Sequence, residues 1–136
     1  MQVIYEFTEE QIEDLHELYR REWWTDTRTL VDTKACVEGS QICIGIVDAS
    51  SRLRGFARVL SDFTFKALIF DLIVSEECRG TGLGDKLMEL IVNHERLRRV
   101  KHFELYCLPE MHAFYERRGF SPDVGGITLM RRIEAP

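Results

Sequence analysis

No stretch of this sequence approaches the ~20 consecutive apolar residues that a membrane-spanning helix needs, so no membrane partner is expected. The first residues, Met1-Gln-Val-Ile-Tyr-Glu6, carry no basic segment followed by an apolar one. A secretory leader is therefore not expected, and the cytoplasm is the expected compartment. The four cysteines (Cys36, Cys43, Cys78, Cys107) form no C-x-x-C pair, which removes the usual ground for a structural metal; reduced thiols are the simple reading. Basic residues are not in excess. The formal net charge of −5 argues against nucleic acid as a partner and is compatible with a cationic amine. Repeats, linkers and low-complexity tracts are missing too. At 136 residues, with 45% hydrophobic and 30% charged, the chain suits a single domain over residues 1–136 with a full core.

What is present is a glycine-rich junction. An apolar strand over Ala67–Val74 runs into Arg79-Gly80-Thr81-Gly82-Leu83-Gly84, and an amphipathic helix follows at once. Glycines at a helix start let the chain take positive φ and let a ligand approach the backbone. The unbonded N–H groups and the positive end of the helix dipole then favour an anion such as a diphosphate. Two familiar phosphate loops do not fit. A dinucleotide fingerprint would need its third glycine at Asp85, and a nucleotide P-loop would need Gly-Lys-Ser/Thr, which does not occur. The remaining form is Arg79-x-x-Gly82-x-Gly84. A plain glycine-rich turn stays as the alternative.

A second motif lies downstream. Phe103 to Cys107 reads as a strand, followed by Met111-His-Ala-Phe-Tyr-Glu-Arg-Arg-Gly-Phe120. Met111, Phe114 and Tyr115 share a helix face, Gly119 stands where a helix C′ residue would, and Phe120 can fold back on the last turn. Together the two motifs resemble the GNAT family of N-acetyltransferases: the first its coenzyme A pyrophosphate loop, R/Q-x-x-G-x-G/A, the second its closing A-x-x-F-Y-x-x-x-G-F helix with Met111 at the alanine position. The chain departs from the family at Cys107-Leu108-Pro109, where many relatives carry asparagine. Trp23-Trp24 followed by Thr-x-Thr-Arg resembles a small bacterial subgroup, so a bacterial source is expected.

The resemblance implies acetyl-CoA as cofactor and a primary amine of a small molecule or peptide as acceptor, with direct transfer. It implies that the amides of Gly80, Thr81, Gly82, Leu83, Gly84 and Asp85 hold the diphosphate, with Arg79 nearby. The backbone of Leu72, Ile73 and Val74 would pair with the pantetheine arm like an added strand, and one N–H there would polarise the thioester carbonyl. Tyr115 takes the position of the general acid; a core tyrosine with its hydroxyl satisfied elsewhere is the alternative. For the base, Asp71 interrupts the run Ala67-Leu-Ile-Phe-Asp-Leu-Ile-Val74. Burial would raise its pKa toward a useful range, whereas pairing with an arginine such as Arg58 would make it structural. Asp62 and Glu104 are alternatives. Trp23, Trp24 and Arg28, with Asp62, are candidates for the acceptor wall, through cation–π contact for the aromatics, although one tryptophan is expected to be core. A homodimer is open, since dimers are common in the family. A non-catalytic acyl-CoA sensor is the alternative function; it would need the loop but not Tyr115.

For the fold the same resemblance implies a mixed, mostly antiparallel α/β (α+β) sheet flanked by helices, in the order β-α-α-β-β-β-α-β-α-β-β. The residues agree. Val3–Phe7 reads as a strand and Thr8-Glu-Glu-Gln11 as a capping box, before a stripe of Ile12, Leu15, Leu18 and Tyr19. A second helix is expected from Thr27 or Thr29 to Gly39. Strands are expected over 40–47 and 52–60, the first buried on both faces. The helix after the loop should bury Leu83, Leu87, Leu90, Ile91 and His94. Gly125-Gly126 signals a final hairpin.

Overall fold

Two reciprocal capping boxes set the first helices. The Thr8 hydroxyl accepts from the Gln11 N–H at 3.2 Å while the Gln11 side chain accepts from the Thr8 N–H at 3.0 Å, opening α1 (Glu9–Arg20). Thr29 and Asp32 repeat the arrangement for α2 (Leu30–Glu38), which Gly39 caps. The structure, a computed structural model, describes residues 1–134. It divides the chain into two compact units, Met1–Leu105 and Tyr106–Pro136.

The first unit is built on a five-stranded sheet in sequence order: β1 (Gln2–Ile4), β2 (Ile42–Val47), β3 (Leu53–Ser61), β4 (Lys66–Val74) and β5 (His102–Leu105). The first four pair antiparallel. β4 and β5 are parallel, joined by the crossover helix α3 (Leu83–Val92). Every residue of β2 is buried, as its unbroken apolar run requires. On one face of the sheet, Leu15, Leu18 and Tyr19 of α1 pack with Val47, Leu53, Phe56 and Ile73. Gly55 points the other way, and Leu87 of α3 comes within 3.3 Å of where its Cβ would stand. Adjacent strand residues face opposite sides, so α1 and α3 cover opposite faces of β3.

β4 is not regular. Phe56 is opposite Ile73 and Arg58 opposite Phe70, so Ala57 alone faces two residues, Asp71 and Leu72. Such an extra residue bends the strand and raises its twist. Asp71 takes it up in the left-handed region at φ 56, which costs an L-residue roughly 1–2 kcal/mol, less for Asp than for most. The parallel ladder with β5 runs from Lys66↔His102 to Ile69↔Leu105. Beyond Ile69, among the described residues, β4 is laddered to β3 alone.

In the second unit a 3-10 turn (Pro109–Met111) leads into α4 (His112–Glu116). The end of α4 forms as the sequence implies. Gly119 adopts φ 87, its N–H donates to the Glu116 carbonyl at 3.0 Å, and the Phe120 N–H donates to the Tyr115 carbonyl at 3.2 Å.

Several boundaries and one pair of elements differ from the sequence reading. The first strand ends at Ile4, not Phe7, and the fifth covers His102–Leu105, not 103–107. α3 ends at Val92, so His94 lies outside it and instead caps a 3-10 turn (Glu95–Leu97), accepting from the Arg96 N–H at 3.1 Å. Met88 is buried with Leu87 and Ile91, whereas Leu83 and Leu90 are half-buried. The final hairpin is not formed. Gly125 and Gly126 have the two positive φ values of a tight hairpin turn, 72 and 81. Yet no strand flanks them among the described residues, and 121–134 are exposed throughout. A two-stranded ribbon without a supporting sheet is marginal, and a good turn does not supply that support.

Candidate active site

The junction after β4 has the form of an anion cradle. Thr81 donates its hydroxyl to the Cys78 carbonyl, closing the loop on itself. Gly80 and Gly82 take φ 78 and 89, and Gly82 is the N-cap of α3 with no side-chain cap. The amides of Leu83 and Gly84 therefore have no intrahelical acceptor. A Cβ placed on Gly80 or Gly82 would meet nothing within 4 Å, so the face of the loop is open to a ligand. Asp85 follows in the first turn. The fit to a diphosphate is good: backbone donors at a helix N-terminus, with open space at the Cβ positions of Gly80 and Gly82. Arg79 forms an ion pair with Glu22 of the α1–α2 connection. Its charge is thus shared with a carboxylate, not held free for a phosphate.

Asp71 is the centre of a buried polar cluster and is 8% exposed. Arg28 grips it with both terminal nitrogens, Nη1 to Oδ2 at 2.6 Å and Nη2 to Oδ1 at 3.2 Å. Arg58 Nε donates to Oδ2 at 2.6 Å, and the Tyr19 hydroxyl donates to Oδ2 at 2.8 Å. The Arg28 guanidinium also lies over the Tyr19 ring, 4.6 Å from its centre. Burial pushes the Asp71 carboxyl up, but the hydrogen bonds from Arg28 and Arg58 and their charges outweigh it and hold the group below the usual carboxylate range. This corrects the expectation that burial would tune Asp71 toward a base. The arginine pairing weighed against it is what forms, with Arg28 added. Burial and the Asp71 charge push the Tyr19 hydroxyl far up, so it stays a donor.

A pH dependence follows. The folded pKa of Asp71 is depressed, so its stabilisation is present above the unfolded carboxyl value of ~3.9 and is lost as pH falls through the folded value. Thermal melts between pH 7 and pH 2 should show Asp71→Asn less stable than wild type at neutrality. The gap should narrow in acid. Parallel curves would mean that Asp71 is not ionised in the fold.

Other candidates are placed differently from expectation. Trp23 and Trp24 are 70% and 42% exposed, so neither is core. Thr25 anchors the connection between α1 and α2 instead: it is buried and its hydroxyl donates to the Tyr19 carbonyl at 2.7 Å. That anchor leaves the indoles on the surface, and Arg28, three residues on, turns inward to Asp71. Asp62 is occupied by the β3–β4 turn, where Oδ1 accepts from the N–H groups of Thr64, Phe65 and Lys66 at 2.9, 2.7 and 3.1 Å. It stands before β4 begins, at the end away from Asp71, so the structure does not bring it to the other candidates. Glu104 pairs with Lys66 at 3.0 Å. Tyr19 went unnoticed as a polar group because it completes an apolar helix stripe; a lone tyrosine on that stripe and a lone aspartate in an apolar strand were the available signal.

In the second unit, Tyr115 packs edge-on to Phe114 and Phe120, with ring centres 4.9 and 6.0 Å apart. Burial, with a smaller effect from Cys107, pushes its hydroxyl up to about 12. At physiological pH it is a proton-bearing group.

Comparison with known proteins agrees with this geometry. The Acetyltransferase (GNAT) family profile matches residues 4–120. An uncharacterized N-acetyltransferase, ycf52, of Porphyra purpurea is 33% identical over 106 residues, which is 76% of this chain and 61% of the relative. The chloroplastic serotonin N-acetyltransferase 2 of Oryza sativa is 33% identical over 101 residues, 71% of this chain and 50% of that protein. The chain thus spans half to three-fifths of the length of these relatives. Among solved structures, a GNAT-family acetyltransferase of Xanthomonas campestris superposes with a TM-score of 0.84 at 29% identity, covering 98% of this chain and 92% of that one. With the profile matching residues 4–120, well over half of the sequence, the chain belongs to the acetyltransferase (GNAT) family.

Proposed function

We propose that this chain is an acetyl-CoA-dependent N-acetyltransferase, one catalytic domain that passes the acetyl group directly to a primary amine of a small molecule or peptide. The observation that carries the reading is the open loop at Gly80 and Gly82, set between the bulged strand β4 and the N-terminus of α3. The family match over 4–120 supports treating both units as one working domain. Four free cysteines suit a reducing compartment, the cytoplasm or a chloroplast stroma.

Bound acetyl-CoA would supply the activated thioester. The loop amides and the N-terminus of α3 hold its diphosphate. The backbone of Leu72–Val74, free of the β5 ladder, offers donors and acceptors to the pantetheine arm, and an N–H there polarises the thioester carbonyl. Tyr115 stays protonated and donates to the departing sulfur. A hydroxyl at about 12 stands ~3–4 units above an ordinary thiol, so Tyr115 acts as a hydrogen-bond donor to the thiolate, and complete proton transfer is uphill. No carboxylate is assigned as base: Asp71 is clamped by two arginines and Asp62 by a turn. The amine therefore loses its proton to water. Trp23 and Trp24, exposed on the α1–α2 connection, offer aromatic faces to an ammonium group.

Calorimetric titration with acetyl-CoA, alongside CoA and NAD, tests the cofactor. Saturable binding of acetyl-CoA with NAD silent is the expected result. A screen by thiol release should follow, with polyamines, amino-terminal peptides and serotonin, the amine named for the rice relative. Absence of binding to both acetyl-CoA and CoA would overturn the reading.

A further inference from the structure

Three elements of the first unit send a donor to one carboxylate. Tyr19 comes from α1, Arg28 from the connection that carries Trp23 and Trp24, and Arg58 from β3. The acceptor, Asp71, is the residue at which β4 bulges, at φ 56. The bulge follows Phe70, one residue beyond Ile69, where the ladder to β5 ends. Two guanidinium groups meet one carboxylate, so the cluster carries one net positive charge and has no use for a proton on Asp71. Its chemistry is that of an anchor.

A non-glycine residue stays in the left-handed region only where its surroundings over-determine it. Here they do so by charge. A regular β4 would move the carboxylate away from one or both arginines and leave a half-buried guanidinium without its partner, which is unfavourable. Arg28 uses two nitrogens on two oxygens, a fork that fixes direction as well as distance.

We infer that Arg28, Arg58 and Asp71 form a positioning clamp that holds β4 in its bulged form and ties the Trp23–Trp24 segment to that same point. The clamp sets the direction of the Leu72–Val74 backbone and the place of the acceptor wall together. This rests on the acetyl-transfer reading only in what the Leu72–Val74 backbone is taken to meet; the conformational part stands on the apo protein.

The test has two readouts. In the apo protein, the 13Cα and 13Cβ shifts of residue 71 report its backbone conformation. Wild type should show left-handed values, and Arg58→Gln should move them toward extended values. In the acetyl-CoA complex, the infrared band of a 13C-labelled thioester carbonyl reports polarisation by the backbone. At saturating acetyl-CoA the wild-type band should lie below that of the free thioester, and in Arg58→Gln it should return toward it. Arg28→Lys should show the same two changes, because a single ammonium cannot fork the carboxylate. Its side chain is partly exposed, so this variant serves if Arg58→Gln does not fold. Folded variants that keep left-handed shifts at residue 71 and the wild-type band would overturn the clamp. If wild type itself binds no acetyl-CoA, the acetyl-transfer reading fails, and the shifts alone still decide the clamp.

Discussion

Gly82→Glu is expected to abolish acetyl-CoA binding while the protein still folds. Gly82 stands at φ 89 as the N-cap of α3, and a Cβ there would touch nothing within 4 Å. The new side chain thus has its Cβ in open space. It pays roughly 1–2 kcal/mol for the left-handed backbone, a cost a stable domain survives. Its carboxylate, however, projects over the amides that would hold the diphosphate, at the positive end of the helix. It competes with the ligand for those donors and repels its charge. A fall in affinity of ~100-fold or more, about 2.7 kcal/mol, should be seen by calorimetry. Gly82→Asn separates the two effects, since asparagine tolerates positive φ without adding charge and should retain most binding. Unchanged affinity in Gly82→Glu, with a normal melt, would remove the loop as the cofactor site.

Tyr115→Phe should leave acetyl-CoA affinity near that of wild type and lower turnover by ~10²–10³, the usual range for losing one positioned hydrogen-bond donor to developing charge. The ring contacts with Phe114 and Phe120 survive the change, so the helix end should keep its packing. With the hydroxyl pushed up to about 12, Tyr115 is neutral throughout the working range, and the wild-type rate should show no alkaline fall from its ionisation below pH ~10. Equal turnover in Tyr115→Phe would withdraw the acid role. Tight acetyl-CoA binding by wild type with no transfer to any amine would favour a sensor over an enzyme.

Local features were legible before the fold was known. Thr8–Gln11 and Thr29–Gly39 announce helix ends because a capping side chain and its partner amides lie within four residues of each other. Gly119 and Phe120 announce the end of α4 for the same reason. Asp71 stood out as the lone charge in an apolar strand, but two outcomes were open for it, base or ion pair. The expectation that one of Trp23 and Trp24 is core failed because apolar character states a preference for burial and not whether a core lies within reach. The hairpin at Gly125-Gly126 was half right: the turn is local and forms, while strand pairing needs an edge that local sequence does not specify.

By itself, then, the sequence determined the elements whose hydrogen bonds close within a few residues: the capped helices, the buried strand β2, and the positive-φ glycines of the loop. These also carried the family, because its motifs are short contiguous segments. Tertiary structure alone decided the state of Asp71. Its partners are 52, 43 and 13 residues away along the chain. Only the sheet register, with its extra residue in β4, brings Tyr19, Arg28 and Arg58 to one carboxylate. A pKa depends on the charges within a few ångströms, and chain separation carries no information about those distances.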